Sequence, residues 1–98
     1  MSQAIHYEAK IPLILLKEGK HFIAYTPAFD VSSSGKTPAA AKRNFVEAMD
    51  LLIEELIEKG TLEKVLKEMG WVKDDEQWQP PIELQQVTRI PLSMPVLA

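Results

Sequence analysis

The chain has 98 residues, which is enough for one hydrophobic core but not for two, so we expect a single domain over residues 1–98. Apolar residues make up 46% and charged residues 26%, a balance that excludes an intrinsically disordered chain. The net charge of −3 argues against sequence-independent nucleic-acid binding, and the absence of cysteine excludes disulfides, zinc–thiolate sites and thiol catalysis.

The first residues and the apolar runs indicate no membrane association. Residues 1–8 lack the basic and apolar regions of a signal peptide. The longest apolar run, residues 11–16, contains Pro12 and is far shorter than the ~20 residues that span a bilayer. We therefore expect a soluble, cytoplasmic protein.

The first third of the chain reads as a β-meander. Residues 4–16 are compatible with a strand whose last part is apolar on both faces. Gly19 favours a tight turn, and residues 21–26 are expected to form the return strand. Residues 29–32 predict a third short strand, which leads into a polar loop over residues 33–36. The order predicts a three-stranded antiparallel meander.

A long amphipathic helix should follow this meander. Thr37 can cap an orphan backbone N–H, Pro38 at the first helical position loses no needed donor, and Gly60 favours the helix end. Between them, apolar residues recur at three- and four-residue spacing: Ala41, Phe45, Ala48, Met49, Leu52 and Leu56. This spacing predicts a helix whose apolar side covers one face of the sheet.

The last third predicts a short helix and an edge strand. We expect Thr61 to cap a helix over residues 62–69, Gly70 to end it, and Trp71 to pack back on Leu66. Residues 82–96 are expected to form a final strand, placed at an edge because its two prolines cannot donate ladder hydrogen bonds. The fold class is therefore α+β. One long helix cannot bury both faces of the sheet, so the short helix, the tail or a second chain has to cover the rest, and we expect a homo-oligomer on that basis.

Three patterns could suggest catalysis, and each has a simpler interpretation. Gly35, Lys36 and Thr37 match the end of a phosphate-binding loop, but Asp30 stands where that motif requires glycine, so a capped turn is favoured. Asp50 and Glu54 form an i, i+4 pair on the solvent side of the helix rather than a converging metal site. His6 and His21 are best explained as strand-surface residues. We expect no enzyme activity, cofactor or metal.

The clearest charge pattern lies on the predicted long helix. Five carboxylates face away from its apolar side: Glu47, Asp50, Glu54, Glu55 and Glu58. One interpretation is a solvated helix face, with Lys59 favourably placed at the helix end. The other is a surface that steers a basic partner protein. We take these five residues as the candidate partner-binding set.

The segment from His21 to Leu56 resembles the HicB-like antitoxin family. The matching features are the aromatic-x-Pro-Ala sequence of Tyr25 to Ala28, a short strand with small polar residues, and Gly35-Lys36-Thr37 opening an Ala-rich amphipathic helix. The resemblance implies a partial RNase H-like domain that has lost catalytic carboxylates and self-associates. It also implies binding and neutralisation of a small basic HicA-type toxin that cleaves mRNA.

The C-terminal part departs from that family. Many HicB proteins continue into a helix-turn-helix or ribbon-helix-helix segment that binds operator DNA. From Pro80 onward this chain is expected to be extended, with Arg89 as its single cation. We therefore expect a form without direct DNA binding. The alternative function is an orphan oligomeric HicB-like domain with a structural or other protein-interaction role and no catalytic activity.

Overall fold

The computed structural model describes residues 9–97. They form an α+β fold in which a three-stranded antiparallel sheet packs on a long helix, followed by a short helix and a two-stranded hairpin. In chain order the elements are β1 (Ile14–Glu18), β2 (His21–Thr26), β3 (Val31–Gly35), α1 (Pro38–Glu58), α2 (Leu62–Glu68), β4 (Val72–Asp74) and β5 (Gln77–Gln79). This confirms the predicted fold class, with changes in the third strand and the C-terminal part.

The sheet has the order β1-β2-β3, with both neighbouring pairs antiparallel. Glu18 pairs with His21, so the hairpin loop has only two residues, and Gly19 takes the positive φ of 59° there. Ala24 and Thr26 are fully buried on the face that α1 covers. The predicted return strand is confirmed, since β2 spans the expected residues 21–26.

The third strand lies later in the chain than expected. Residues 29–32 were predicted to form it, but β3 is Val31–Gly35 and includes serines assigned to the loop. Asp30 adopts φ 54°, a left-handed conformation that interrupts an extended chain before the strand. Phe29 therefore turns inward, where it is buried and packs on the Trp71 ring with centroids 5.0 Å apart.

The long helix begins and ends as predicted. The Thr37 hydroxyl oxygen accepts a hydrogen bond from the Ala40 N–H at 3.0 Å, with Pro38 at the first helical position. At the other end the Gly60 N–H donates to Ile57 O and the Thr61 N–H donates to Leu56 O, which is the pair of bonds of a Schellman motif. Ala41, Phe45 and Met49 are buried against the sheet.

The second helix ends in the same motif but lacks the predicted cap. The Trp71 N–H donates to Leu66 O and the Gly70 N–H to Lys67 O, and both Trp71 and Leu66 are buried in the core. Thr61 was expected to cap the helix, yet its side chain makes no capping bond. Its backbone ψ is 3°, whereas a capping residue normally has extended backbone.

The expected strand over residues 82–96 is not formed. Within residues 9–97 the last strands are β4 and β5, and everything after Pro80 is extended and exposed without a ladder partner. The hairpin β4–β5 turns through Asp75 and Glu76, both with positive φ. A strand requires a neighbouring strand, and an alternating sequence pattern alone does not provide one.

Candidate functional site

Helix α1 presents a row of carboxylates to solvent. The buried residues of α1 show which side of the helix faces the sheet. Because the helix repeats every 3.6 residues, residues 47, 50, 54 and 58 lie on the opposite side and follow one another along the helix axis. We call Glu47, Asp50, Glu54 and Glu58 the acidic stripe. All four side chains are exposed, and none forms an ion pair with another of the described residues.

Glu55, the fifth predicted residue, lies beside the stripe and differs electrostatically. Its Oε1 accepts a hydrogen bond from Lys59 Nζ at 2.8 Å. This hydrogen bond and the lysine charge lower the pKa of the Glu55 carboxyl below its ordinary value. Lys59 therefore offsets the charge of Glu55, and the net negative potential of this helix side comes from the acidic stripe.

Apolar side chains interrupt and border the stripe, a feature that the charge pattern alone did not reveal. Leu51 is 66% exposed and lies next to Asp50, and Val46 and Ile57 are each 54% exposed on the adjoining side. The sequence signal was available, since these residues fall outside the apolar repeat that faces the sheet. The surface therefore combines negative charge with apolar area that a partner protein could bury.

The segment resembling a phosphate-binding loop has a structural role. A Cβ on Gly35 would lie 2.5 Å from Ala41 N and 2.8 Å from Ala40 C, so only glycine allows the first turn of α1 to approach β3 this closely. The Thr37 hydroxyl oxygen is occupied as the helix cap. Asn44 Nδ2 donates to Ser34 O at 2.9 Å and fixes the helix to the strand. The interpretation as a capped turn is confirmed.

The other polar residues considered from the sequence do not converge. Asp30 Oδ1 accepts a hydrogen bond from the Tyr25 hydroxyl at 2.9 Å. Asp30 lies in the connection before β3, whereas Asp50 and Glu54 lie on α1. In the part of the chain that the structure describes, no three His, Cys, Asp or Glu residues form a group suited to a metal ion. His21 is exposed beside the first hairpin, and His6 lies outside the described residues.

The second face of the sheet is apolar and lies outside the core. The strand register places Ile14 beside Tyr25 and Leu16 beside Ile23 on the side away from α1. We call these four residues the open sheet face. None of them belongs to the buried cluster, and Leu16 is 49% exposed. Within residues 9–97 the apolar face that the sequence pattern singled out is therefore only partly covered, because Ile14, Ile23 and Tyr25 are half-buried.

Two open clefts lie around the β4–β5 hairpin. One, of about 550 Å³, is lined by Lys10, Trp78 and Glu83 among others, and the second, of about 360 Å³, lies between Leu56, Leu62 and Trp78. Lys73 Nζ lies 5.9 Å from the centre of the Trp78 ring and also donates to Glu63 Oε1 at 3.2 Å. The hydrogen bond from Lys73 to Glu63 joins the hairpin to α2.

Comparison of the chain with protein-family models, with curated proteins and with solved structures returned no match. No helix within residues 9–97 has both the length and the apolar character needed to cross a membrane.

Proposed function

We propose that this protein is an antitoxin-like module that binds and neutralises a small basic toxin of the HicA type in the cytoplasm. The observation that carries the proposal is the acidic stripe, whose four exposed carboxylates lie along the solvent side of α1 without pairing to a described cation. A row of like charge of this kind attracts an oppositely charged protein and accelerates its association.

The composition of the surface supports a protein partner. Leu51 and Ile57 are more than half exposed within and beside the stripe, so a bound partner would remove apolar area from water as well as pair charges. The surface lies on a helix that is fixed at both ends by a cap and a Schellman motif. Such a preformed surface loses little conformational entropy on binding.

The sequence resemblance supplies the class of partner. Residues 21–56 resemble the HicB-like family, and that resemblance implies a partial RNase H-like domain paired with a basic toxin that cleaves mRNA. The proposal assigns no catalytic role to this chain and no direct operator binding. The charge complementarity between an acidic helix and a basic ribonuclease agrees with the pairing.

Charge reversal on the helix tests the proposal. The double variant Asp50→Lys/Glu54→Lys should slow association with a HicA-type toxin from the same genome by roughly tenfold or more, and should remove most of the salt dependence. Stopped-flow or surface-plasmon measurements at two salt concentrations give both quantities. Growth rescue on co-expression with the toxin should fall in parallel.

The matched control is Glu68→Lys/Asp74→Lys, which changes the net charge equally at two exposed acids outside both the stripe and the C-terminal part after Pro80. It should retain fast, salt-dependent association. Equal losses in the two double variants would show that net charge, and not the stripe, matters. The absence of any rescue by the unaltered protein would overturn the proposal.

A second candidate is an orphan oligomeric domain with a structural role. The open sheet face favours it, since Leu16 is 49% exposed and Ile14, Ile23 and Tyr25 beside it are only partly buried. This candidate predicts a stable homo-oligomer when the protein is purified alone, with no basic protein bound and no rescue of a HicA-type toxin. The growth assay, together with the presence or absence of a bound basic protein after purification, separates the two candidates, because a homo-oligomer is compatible with both.

A further inference from the structure

Residues 82–97 form an extended arm that no described element covers. Every residue of this C-terminal arm is exposed, and the molecule measures 68 × 28 × 20 Å as a result. The radius of gyration is 17.2 Å, compared with about 13 Å for a compact chain of this length. The arm therefore extends well beyond the folded body.

The arm has the side-chain pattern of a half-buried strand. Ile90, Leu92, Met94 and Val96 alternate along it and are 78, 75, 70 and 99% exposed. In an extended chain, residues two apart point to the same side, so these four form one apolar row. A row of this kind is normally buried against another β-element, and in the isolated chain it has no counterpart among residues 9–97.

The prolines of the arm restrict how it can pair. Successive N–H groups of a strand point to opposite edges, and Pro91 and Pro95 both fall on the odd-numbered edge. That edge lacks two donors. The even-numbered residues keep their N–H groups, so the arm can add to a sheet along one edge only. Its proline edge would then face solvent, as in natural edge strands.

The sheet offers one suitable edge for this strand. In the described part of the chain β1 pairs only with β2, so the outer edge of β1 is open. Strand β1 has Leu15 on one face of the sheet and Leu16 on the other, and both are exposed. The opposite edge, β3, has serine side chains, and the Ser34 carbonyl already accepts a hydrogen bond from Asn44. Apolar neighbours for the arm are therefore found beside β1.

We propose that the C-terminal arm of one copy of this chain adds as a strand to the outer edge of β1 in a second copy, and that the exchange is reciprocal. A donor arm and an acceptor edge on the same chain satisfy each other in a two-fold dimer. The arm contains one acid, Glu83, and one base, Arg89, so its charge does not oppose the approach. This inference is independent of the proposed binding of a basic protein through the acidic stripe.

Proline substitutions at neighbouring positions test the pairing edge. Met94→Pro removes a donor from the edge that pairs and should weaken the dimer by at least tenfold, as measured by analytical ultracentrifugation over a concentration series. Ser93→Pro adds a third proline to the solvent edge and should leave the dimer intact. Circular dichroism should show both variants folded, because the arm lies outside the core.

Charged substitutions test the role of the apolar row, and amide hydrogen exchange tests which sheet edge the arm joins. Leu92→Asp places a charge in the apolar row and should dissociate the dimer. Ser93→Asp is the control and should not, because the side chain at position 93 points to the opposite side of the arm. Amide hydrogen exchange should show protection of β1 in the dimer that is lost in Met94→Pro. A monomeric unaltered protein, equal effects of the paired substitutions, or protection gained at β3 instead of β1 would each overturn the inference. Loss of toxin binding in the α1 variants with an intact dimer would bear only on the proposed function.

Discussion

The indole N–H of Trp71 donates a hydrogen bond to the carbonyl oxygen of Ala28 at 3.1 Å, across 43 positions of sequence. Trp71 follows α2, and Ala28 lies in the connection between β2 and β3, so this bond joins the C-terminal part of the fold to the sheet. Both residues are buried, with Trp71 only 5% and Ala28 2% exposed. The Trp71 ring also packs on the Phe29 ring, with an angle of 39° between the ring planes.

Substitutions at Trp71 should therefore destabilise the whole domain. Trp71→Phe keeps most of the apolar contact but leaves the Ala28 carbonyl unpaired, at a cost of about 1–3 kcal/mol. Trp71→Ala also creates a cavity and should cost about 3–5 kcal/mol. Urea unfolding followed by far-UV circular dichroism measures both. Leu51→Ala, at a 66% exposed position, should change the stability by less than about 0.5 kcal/mol.

The two threonines that precede the helices should differ in their effects. Thr37→Ala removes a capping bond to the Ala40 N–H and should lower the free energy of unfolding by about 1 kcal/mol. Thr61→Ala is the matched control, because the Thr61 side chain makes no capping bond, and its effect should be within about 0.5 kcal/mol. Equal losses in the two variants would contradict the assignment of Thr37 as the cap.

Local signals in the sequence were sufficient to predict the boundaries of β2 and α1 but not to predict the hairpin after α2. The boundaries of α1 follow from Thr37, Pro38 and Gly60, whose preferences act within one helical turn. The β4–β5 hairpin turns at Asp75 and Glu76 with φ of 49° and 68°. Turns of this type usually contain glycine or asparagine, and neither stands at positions 75 and 76, so no local signal predicts a hairpin there.

Only part of the candidate site could be predicted, because local sequence signals do not determine which side chains the rest of the fold covers. The position of the acidic stripe follows from helix periodicity once the buried side of α1 is known. The exposure of Leu51, Val46 and Ile57 depends on how much of the helix the sheet covers, which is a tertiary property. Residues 82–96 have the composition of a strand and are predicted to form one, but a strand forms only where an edge is available to pair with it.

Gly35 should tolerate no side chain, because the first turn of α1 lies against it. In Gly35→Ala the added methyl group would lie 2.5 Å from a backbone nitrogen, and backbone atoms cannot rotate away, so we expect a loss of about 1–3 kcal/mol. Gly19→Ala has no atom within 4 Å of the added Cβ, and its cost arises only from the positive φ, at about 1 kcal/mol. Thermal unfolding of the two variants should rank them in that order.

Stability at alkaline pH should depend on Tyr25. The hydrogen bond to Asp30, with partial burial and the nearby carboxylate charge, raises the pKa of the Tyr25 hydroxyl above its ordinary value of about 10. The neutral phenol is favoured in the folded state, so its contribution to stability is complete below pH ~10. That contribution is lost as the pH rises through the higher folded pKa, because the folded protein must then give up the hydrogen bond.

Tyr25→Phe should therefore flatten the fall in stability between about pH 9 and pH 12, as measured by urea unfolding at each pH. The difference in ultraviolet absorbance at alkaline pH between the unaltered protein and Tyr25→Phe gives the titration of this tyrosine directly. Asp30→Asn keeps an acceptor but removes the charge, so the pKa of Tyr25 should move back toward its ordinary value. If Tyr25 titrates at the same pH in Asp30→Asn as in the unaltered protein, the charge of the Asp30 carboxylate does not cause the shift, and the hydrogen-bond acceptor that this variant retains accounts for it.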